Sequence, residues 1–157
     1  MDNIELLILI IAANGAPVLA AYLPGRWLKI PIDRGRTWCD GRRLLGHSDT
    51  VRGVIASLLL TTVIAVLLHR PAWIGFLIAS FAMIGDAASS FAKRRLGLAD
   101  GARAFGLDQI PESLLPLLVL MSHSGLTWAD ILIIVSGFVL FSVLISPLRL
   151  SLRKPAD

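Results

Sequence analysis

The chain has 157 residues, of which 55% are hydrophobic and 17% are charged, and its net charge is +4. A mean hydropathy of +0.75 excludes an ordinary soluble domain, which would be far more polar. The single cysteine, Cys39, excludes a disulfide within the chain. We therefore expect one integral membrane domain over residues 1–157.

Five apolar stretches follow one another along the chain, and each is a candidate membrane span because a bilayer core requires roughly 20 apolar residues. They cover residues 4–23, 51–68, 72–90, 111–121 and 128–148. The first is expected to break at Asn14, Gly15 and Pro17, and the fourth is short enough to be tilted or re-entrant. The sequence predicts an all-α membrane helix bundle of about five helices.

Two long polar loops, at about 24–50 and 91–109, contain most of the charge. Fourteen of the fifteen Lys and Arg residues lie in these loops, at Arg52 beside the first loop, or in the C-terminal tail, whereas Arg70 lies on the other side. The positive-inside rule makes that basic side cytoplasmic and leaves the N-terminus outside. We expect the cell (inner) membrane, contacts with anionic membrane lipids, and no nucleic-acid partner, because no nucleic-acid motif is present.

An acidic residue, Asp86, follows the apolar run 76–84 of the third span. A carboxylate at that depth is costly unless it faces a polar cavity or has a partner, so such residues are usually functional. Ser90 and then Lys93 or Arg94 lie on the same helix face as Asp86. The alternative is that Asp86, Ser90 and Lys93 simply end the span.

A second acidic pair, Asp108 and Glu112, flanks Pro111, which suits the first turn of a helix. The alternative for this pair is helix capping with favourable charge at a helix N-terminus. Taken together, the carboxylates can hold Mg²⁺ and the nearby Lys and Arg residues can neutralise phosphate oxygens. This combination is typical of phosphoryl or nucleotidyl transfer, and the sequence contains no Ser–His–acid triad, zinc motif or P-loop.

The motifs and their order resemble the CDP-archaeol synthase family, a distant relative of the phosphatidate cytidylyltransferases, over nearly the whole chain. The segments that resemble it are Asn14-Gly15-Ala16-Pro17 and residues 31–36, 40–46, 50–53, 85–97 and 107–109. The resemblance implies a membrane enzyme that condenses CTP with a lipid phosphate, releases pyrophosphate and gives a CDP-activated lipid.

The resemblance also implies roles for individual residues. It makes Asp86, Asp108 and Lys93 catalytic, with Asp86 and Asp108 as Mg²⁺ ligands. The family tends to place a second acid at the position of Pro111, and Glu112 is interpreted as its substitute and a third ligand. The residues implied to bind CTP and the lipid headgroup are Asn14, Asp33, Arg36, Thr50, Arg52, Ser90 and Arg94.

One further departure from the family keeps two other functions open. Asp49 stands where the family usually has a lysine, and an acid there would repel a triphosphate. The first alternative is therefore a non-catalytic relative that binds lipid phosphate or nucleotide. The second is a small transporter, suggested by Asp86 within a span, although the sequence lacks matching repeat halves.

Overall fold

A computed structural model describes residues 1–25, 27–99, 102 and 104–151, with side chains as far as residue 146. These residues form five helices: α1 (Asn3–Tyr22), α2 (Val51–Leu67), α3 (Ala72–Arg95), α4 (Gln109–Ser124) and α5 (Trp128–Ser151). The predicted all-α bundle of about five helices is confirmed. The basic residues that lie outside the described side chains are Arg26, Arg103, Arg149, Arg153 and Lys154.

The helices differ in how far they can reach across a bilayer. Asn3–Tyr22, Ala72–Arg95 and Trp128–Ser146 are long and apolar enough to cross one, and Val51–Leu67 is a shorter apolar helix. The fourth helix has 16 residues, which corresponds to about 24 Å at 1.5 Å per residue, against a hydrocarbon core of about 30 Å. It extends beyond the predicted 111–121, but it remains short for a full crossing.

The predicted break in the first helix is wrong, because α1 continues through Asn14 and Pro17. A proline inside a helix leaves the carbonyl four residues earlier without its usual N–H donor, and for Pro17 that carbonyl belongs to Ala13. The Ser57 hydroxyl of α2 donates to the Ala13 carbonyl oxygen at 2.7 Å. The Asn14 side chain donates to the Ile10 carbonyl. A neighbouring helix therefore satisfies the backbone that Pro17 leaves unpaired.

Replacing Ser57 by alanine should lower the stability of the protein by about 1 kcal/mol, because the buried Ala13 carbonyl would lose the hydroxyl that donates to it. The measurement is the midpoint of unfolding in detergent. Ser80→Ala is the matched control, since the exposed Ser80 hydroxyl donates only within its own helix, to Phe76. Equal midpoints for the two variants would contradict this role of Ser57.

Polar contacts gather three chain segments at one end of the bundle. Arg70, in the turn between α2 and α3, pairs with Glu5 of α1 at 2.8 Å. Asn3, at the start of α1, donates to Asp130 at the start of α5, also at 2.8 Å. Because α1 and α3 both begin at this end of the bundle, the loops that follow them lie at the opposite end.

Two glycines of α3 let neighbouring helices approach closely. A Cβ atom added to Gly75 would lie 2.6 Å from the carbonyl oxygen of Thr61 on α2. A Cβ added to Gly85 would overlap the Pro111 carbonyl and lie 2.8 Å from the backbone nitrogen of Glu112 on α4. Small residues at helix crossings in membranes allow such backbone contact. Gly85 therefore determines how near the start of α4 comes to the middle of α3.

Candidate active site

The first long loop folds back on itself between α1 and α2. At its base, the Ile32 N–H donates to the Asp49 carbonyl at 2.8 Å, and the Val51 N–H donates to the Ile30 carbonyl at 3.0 Å. Nearer its tip, the Trp38 N–H donates to the Arg42 carbonyl at 2.8 Å. These bonds give a charged, glycine-bearing segment a defined shape without a regular strand in the described part of the chain.

Arginine contacts attach this loop to the end of α3. Arg42 donates to the carbonyl of Arg95 at 2.7 Å and to that of Arg94 at 3.2 Å. The carbonyl end of a helix is electronegative, so a guanidinium there is favourable. Trp38 of the loop also packs edge-on against Phe91 of α3, with 5.7 Å between ring centroids. The loop and the C-terminal end of α3 thus form one surface.

Asp33 is buried at the centre of the loop, where it organises the surrounding residues. Its carboxylate accepts the N–H groups of Gly35 and Leu45 and pairs with Arg43 at 2.8 Å. Burial opposes ionisation, but the hydrogen bonds and the Arg43 charge outweigh it and lower the pKa of Asp33. Asp33, predicted as a substrate-binding residue, therefore holds Arg43 in position from within the loop.

A cationic cleft of about 340 Å³ lies between this loop and the segment that follows α3. Its lining residues are Arg42, Arg43, Leu45, His47, Arg94, Gly97 and Leu98. Arg94 was predicted to contact a triphosphate, whereas Arg42, Arg43 and His47 had no predicted role. The sequence feature that could have identified these residues was the excess of positive charge in the first loop. Guanidinium groups that line a cleft suit the recognition of phosphate.

A carboxylate cluster, defined as Asp86, Asp108 and Glu112 together with Lys93, lies beside the cleft on α3 and at the start of α4. The carboxyl groups of Asp86 and Glu112 lie close enough to interact directly with each other. Lys93 pairs with Asp108 at 2.8 Å. The structure therefore brings all four predicted residues together across the close helix crossing at Gly85.

The cluster fits a divalent cation by its chemistry. Within the described residues, no three His, Cys, Asp or Glu side chains already form a metal-holding group. However, the Asp86 and Glu112 carboxyl groups need a proton or a cation between them, because two bare carboxylates repel each other. Oxygen ligands of this kind are those that Mg²⁺ prefers. In the present arrangement Asp108 is occupied by Lys93, so a cation would compete with the lysine for it.

The other predicted substrate residues have varied surroundings. Thr50 accepts the Gly53 N–H at the start of α2 and lines a small cavity beside Asp86. Arg52 is buried and donates to three carbonyls around the end of α1. Ser90 is buried, Arg36 is exposed, and Asn14 bonds within α1 as described above. Of these five, Thr50 lines a cavity together with Asp86, and Ser90 lies one helical turn after Asp86 on α3.

Comparison with known proteins identifies relatives along almost the whole chain. The model of a family described as "CarS-like: CDP-archaeol synthase" matches residues 4–152. A CDP-archaeol synthase of Saccharolobus islandicus (strain L.S.2.15 / Lassen #1) is 38% identical over 126 residues, which are 75% of this chain and 76% of that relative. A CDP-archaeol synthase of Thermococcus kodakarensis is 41% identical over 109 residues, 62% of this chain and 60% of the relative.

A solved structure has the same fold. It is described as that of an intramembrane enzyme for archaeal membrane lipid biosynthesis. Its sequence is 31% identical to this one, its TM-score is 0.78, and the match covers 91% of both chains. The resemblance predicted from the sequence motifs is therefore confirmed by sequence and by fold.

Proposed function

Because the chain belongs to the CDP-archaeol synthase family, we propose that it condenses CTP with a lipid phosphate at the carboxylate cluster and the cationic cleft. It is a membrane cytidylyltransferase. The observation that carries the site proposal is the junction of the two regions on α3, where Lys93 of the cluster is followed directly by Arg94 of the cleft. We place this site on the cytoplasmic face of the cell membrane, where the basic loops should lie.

The proposed reaction joins a lipid phosphate oxygen to the α-phosphorus of CTP and breaks the bond to the β-phosphate, so that pyrophosphate leaves. Arg42, Arg43 and Arg94 bind and orient the triphosphate within the cleft. Lys93 contributes positive charge where the phosphates meet the carboxylates. We propose Mg²⁺ as the cation held by Asp86 and Glu112, with Asp108 as a further ligand, and bound there it would stabilise the charge that develops on the phosphate oxygens.

The test incubates the purified protein in lipid nanodiscs with labelled CTP, Mg²⁺ and a panel of lipid phosphates with ether-linked isoprenoid or diacyl tails. Formation of a CDP-lipid with matching release of pyrophosphate is the expected result. Binding of CTP without turnover on every lipid would instead favour a non-catalytic relative. Solute flux in vesicles without CDP-lipid formation would favour a transporter.

Replacing Glu112 by glutamine distinguishes a metal ligand from a residue that only favours the helix N-terminus. As a ligand, its loss should raise the Mg²⁺ concentration for half-maximal activity, and added Mg²⁺ should partly restore the rate. As a partner of the helix dipole alone, its loss should lower stability by about 0.3–1 kcal/mol and leave the Mg²⁺ dependence unchanged. A Mg²⁺ titration of the rate, read beside thermal unfolding, separates the two.

A further inference from the structure

A second acidic residue approaches Asp86 from the first loop. Asp49 is 9% exposed and lies in the turn of the first loop that packs beside α3 at Asp86. The two carboxylates line the same small cavity of about 20 Å³, together with Ser48 and Thr50. Two acids that share a cavity repel each other unless something positive lies between them.

The cavity is large enough for one small occupant, and two of its lining residues are acids. About 10–15 Å³ is enough for one water-sized occupant, so 20 Å³ admits a single ion or water. The other lining residues, among them Pro17, Val54 and Met83, are apolar. A low-polarity wall strengthens the interaction of a carboxylate pair with a cation. The hydroxyls of Ser48 and Thr50 add oxygen atoms of the kind that hard cations accept.

Each carboxylate oxygen of Asp49 accepts a hydrogen bond from within the loop. One of its oxygens accepts the Gly46 N–H at 3.1 Å, and the other accepts the Ser48 hydroxyl at 3.3 Å. An ionised carboxylate has about four lone-pair sites, so two contacts leave room for a cation. These contacts also determine where the carboxylate lies, because both donors belong to its own turn of the loop.

From these contacts we infer that Asp49 is an additional carboxylate of the cation site, which holds the metal from the loop side while Asp86 holds it from α3. This inference rests on the proposed metal-dependent function. Its consequence is that binding of the cation ties residues 46–50 to α3. His47 of the same turn lines the cationic cleft, so occupation of the metal site would also stabilise one wall of the nucleotide cleft.

The test measures binding of Mn²⁺, as a paramagnetic probe that Mg²⁺ displaces, to the full-length protein in nanodiscs by EPR titration. Asp49→Asn should weaken Mn²⁺ binding at least tenfold, because the amide keeps an acceptor for Gly46 but loses the charge. Asp40→Asn is the matched control, since Asp40 belongs to the same loop and pairs with Arg95. It should leave the affinity within twofold of the parent. Trypsin cleavage of the loop should slow on metal addition in the parent and not in Asp49→Asn.

Asp86→Asn in the same titration separates this inference from the proposed function. Loss of binding in Asp86→Asn with parent-like binding in Asp49→Asn would overturn the inference and leave the metal site intact. Parent-like binding in Asp86→Asn would overturn the metal site itself. Faster cleavage of metal-free Asp49→Asn than of the metal-free parent would assign Asp49 to loop structure alone, and would also overturn the inference.

Discussion

An Asp86→Asn protein is expected to fold in the membrane and to lose CDP-lipid formation by about 100-fold or more. The amide keeps the size of the side chain and can still form hydrogen bonds, but it is a poor ligand for a hard cation. The contact between Asp86 and Glu112 would then be satisfied by the amide without any cation. The measurements are turnover of labelled CTP at saturating substrate and thermal unfolding of the same preparation.

The control for this experiment is Asp2→Asn, which alters an acid at the opposite end of the bundle and keeps a good N-cap residue for α1. It should retain full turnover. Turnover of Asp86→Asn within a few-fold of the parent at ordinary Mg²⁺ concentrations would remove Asp86 from the metal site. Loss of folding in Asp86→Asn, detected as a lower unfolding midpoint, would instead indicate a structural role.

Replacing Gly85 by alanine should abolish most of the activity through backbone displacement alone. The added methyl group would overlap the Pro111 carbonyl, so α3 and α4 would have to separate at that point. Because Glu112 follows Pro111 directly, this separation would draw its carboxyl group away from Asp86 and open the carboxylate cluster. Overpacking of this kind also costs about 1–3 kcal/mol of stability. Turnover, Mn²⁺ affinity and the unfolding midpoint should all fall together.

Two other glycines provide comparisons. At Gly137 an added Cβ would meet only the end of the Leu7 side chain, at 3.3 Å, so Gly137→Ala should be tolerated. At Gly75 the clash is with α2 backbone, so Gly75→Ala should lower stability and leave the Mn²⁺ affinity of the folded fraction near that of the parent. Parent-like turnover in Gly85→Ala would show that the cluster does not depend on this helix crossing.

The helices could be located from hydropathy because long apolar runs have few alternatives to a helix in lipid. The error in α1 arose from a contact that no local pattern reveals. Asn14, Gly15 and Pro17 favour a break when α1 is considered alone, whereas in the fold the Ser57 hydroxyl of α2 donates to the Ala13 carbonyl that Pro17 leaves without its N–H donor. Packing against α2, which includes this hydrogen bond between residues 44 positions apart, thus compensates for the local preference.

Some residues of the candidate site could also be identified from the sequence. Charged groups within or near the ends of apolar spans are costly in a membrane and are usually functional. This cost identified Asp86, Lys93, Asp108 and Glu112 as candidates. Their contacts could not be predicted, since the Asp86–Glu112 approach depends on the α3–α4 crossing. The prediction also interpreted Asp49 only as a departure that repels phosphate. In the fold it lines the same small cavity as Asp86, which is the basis for proposing that it contacts a cation.

The sequence by itself determined that the protein lies in a membrane, that its fold is all-α, and which residue types can act in the site. The length of its apolar runs requires a bilayer, its basic residues gather at one end, and its motifs identify the family. Only the tertiary structure decided which acids lie close together, which arginines line the cleft, and that Asp33 bonds to Arg43 within the loop. The physical reason is that hydropathy and its periodicity are local properties, which determine where helices form. The distances between carboxylates depend instead on how closely two helices and one loop can pack.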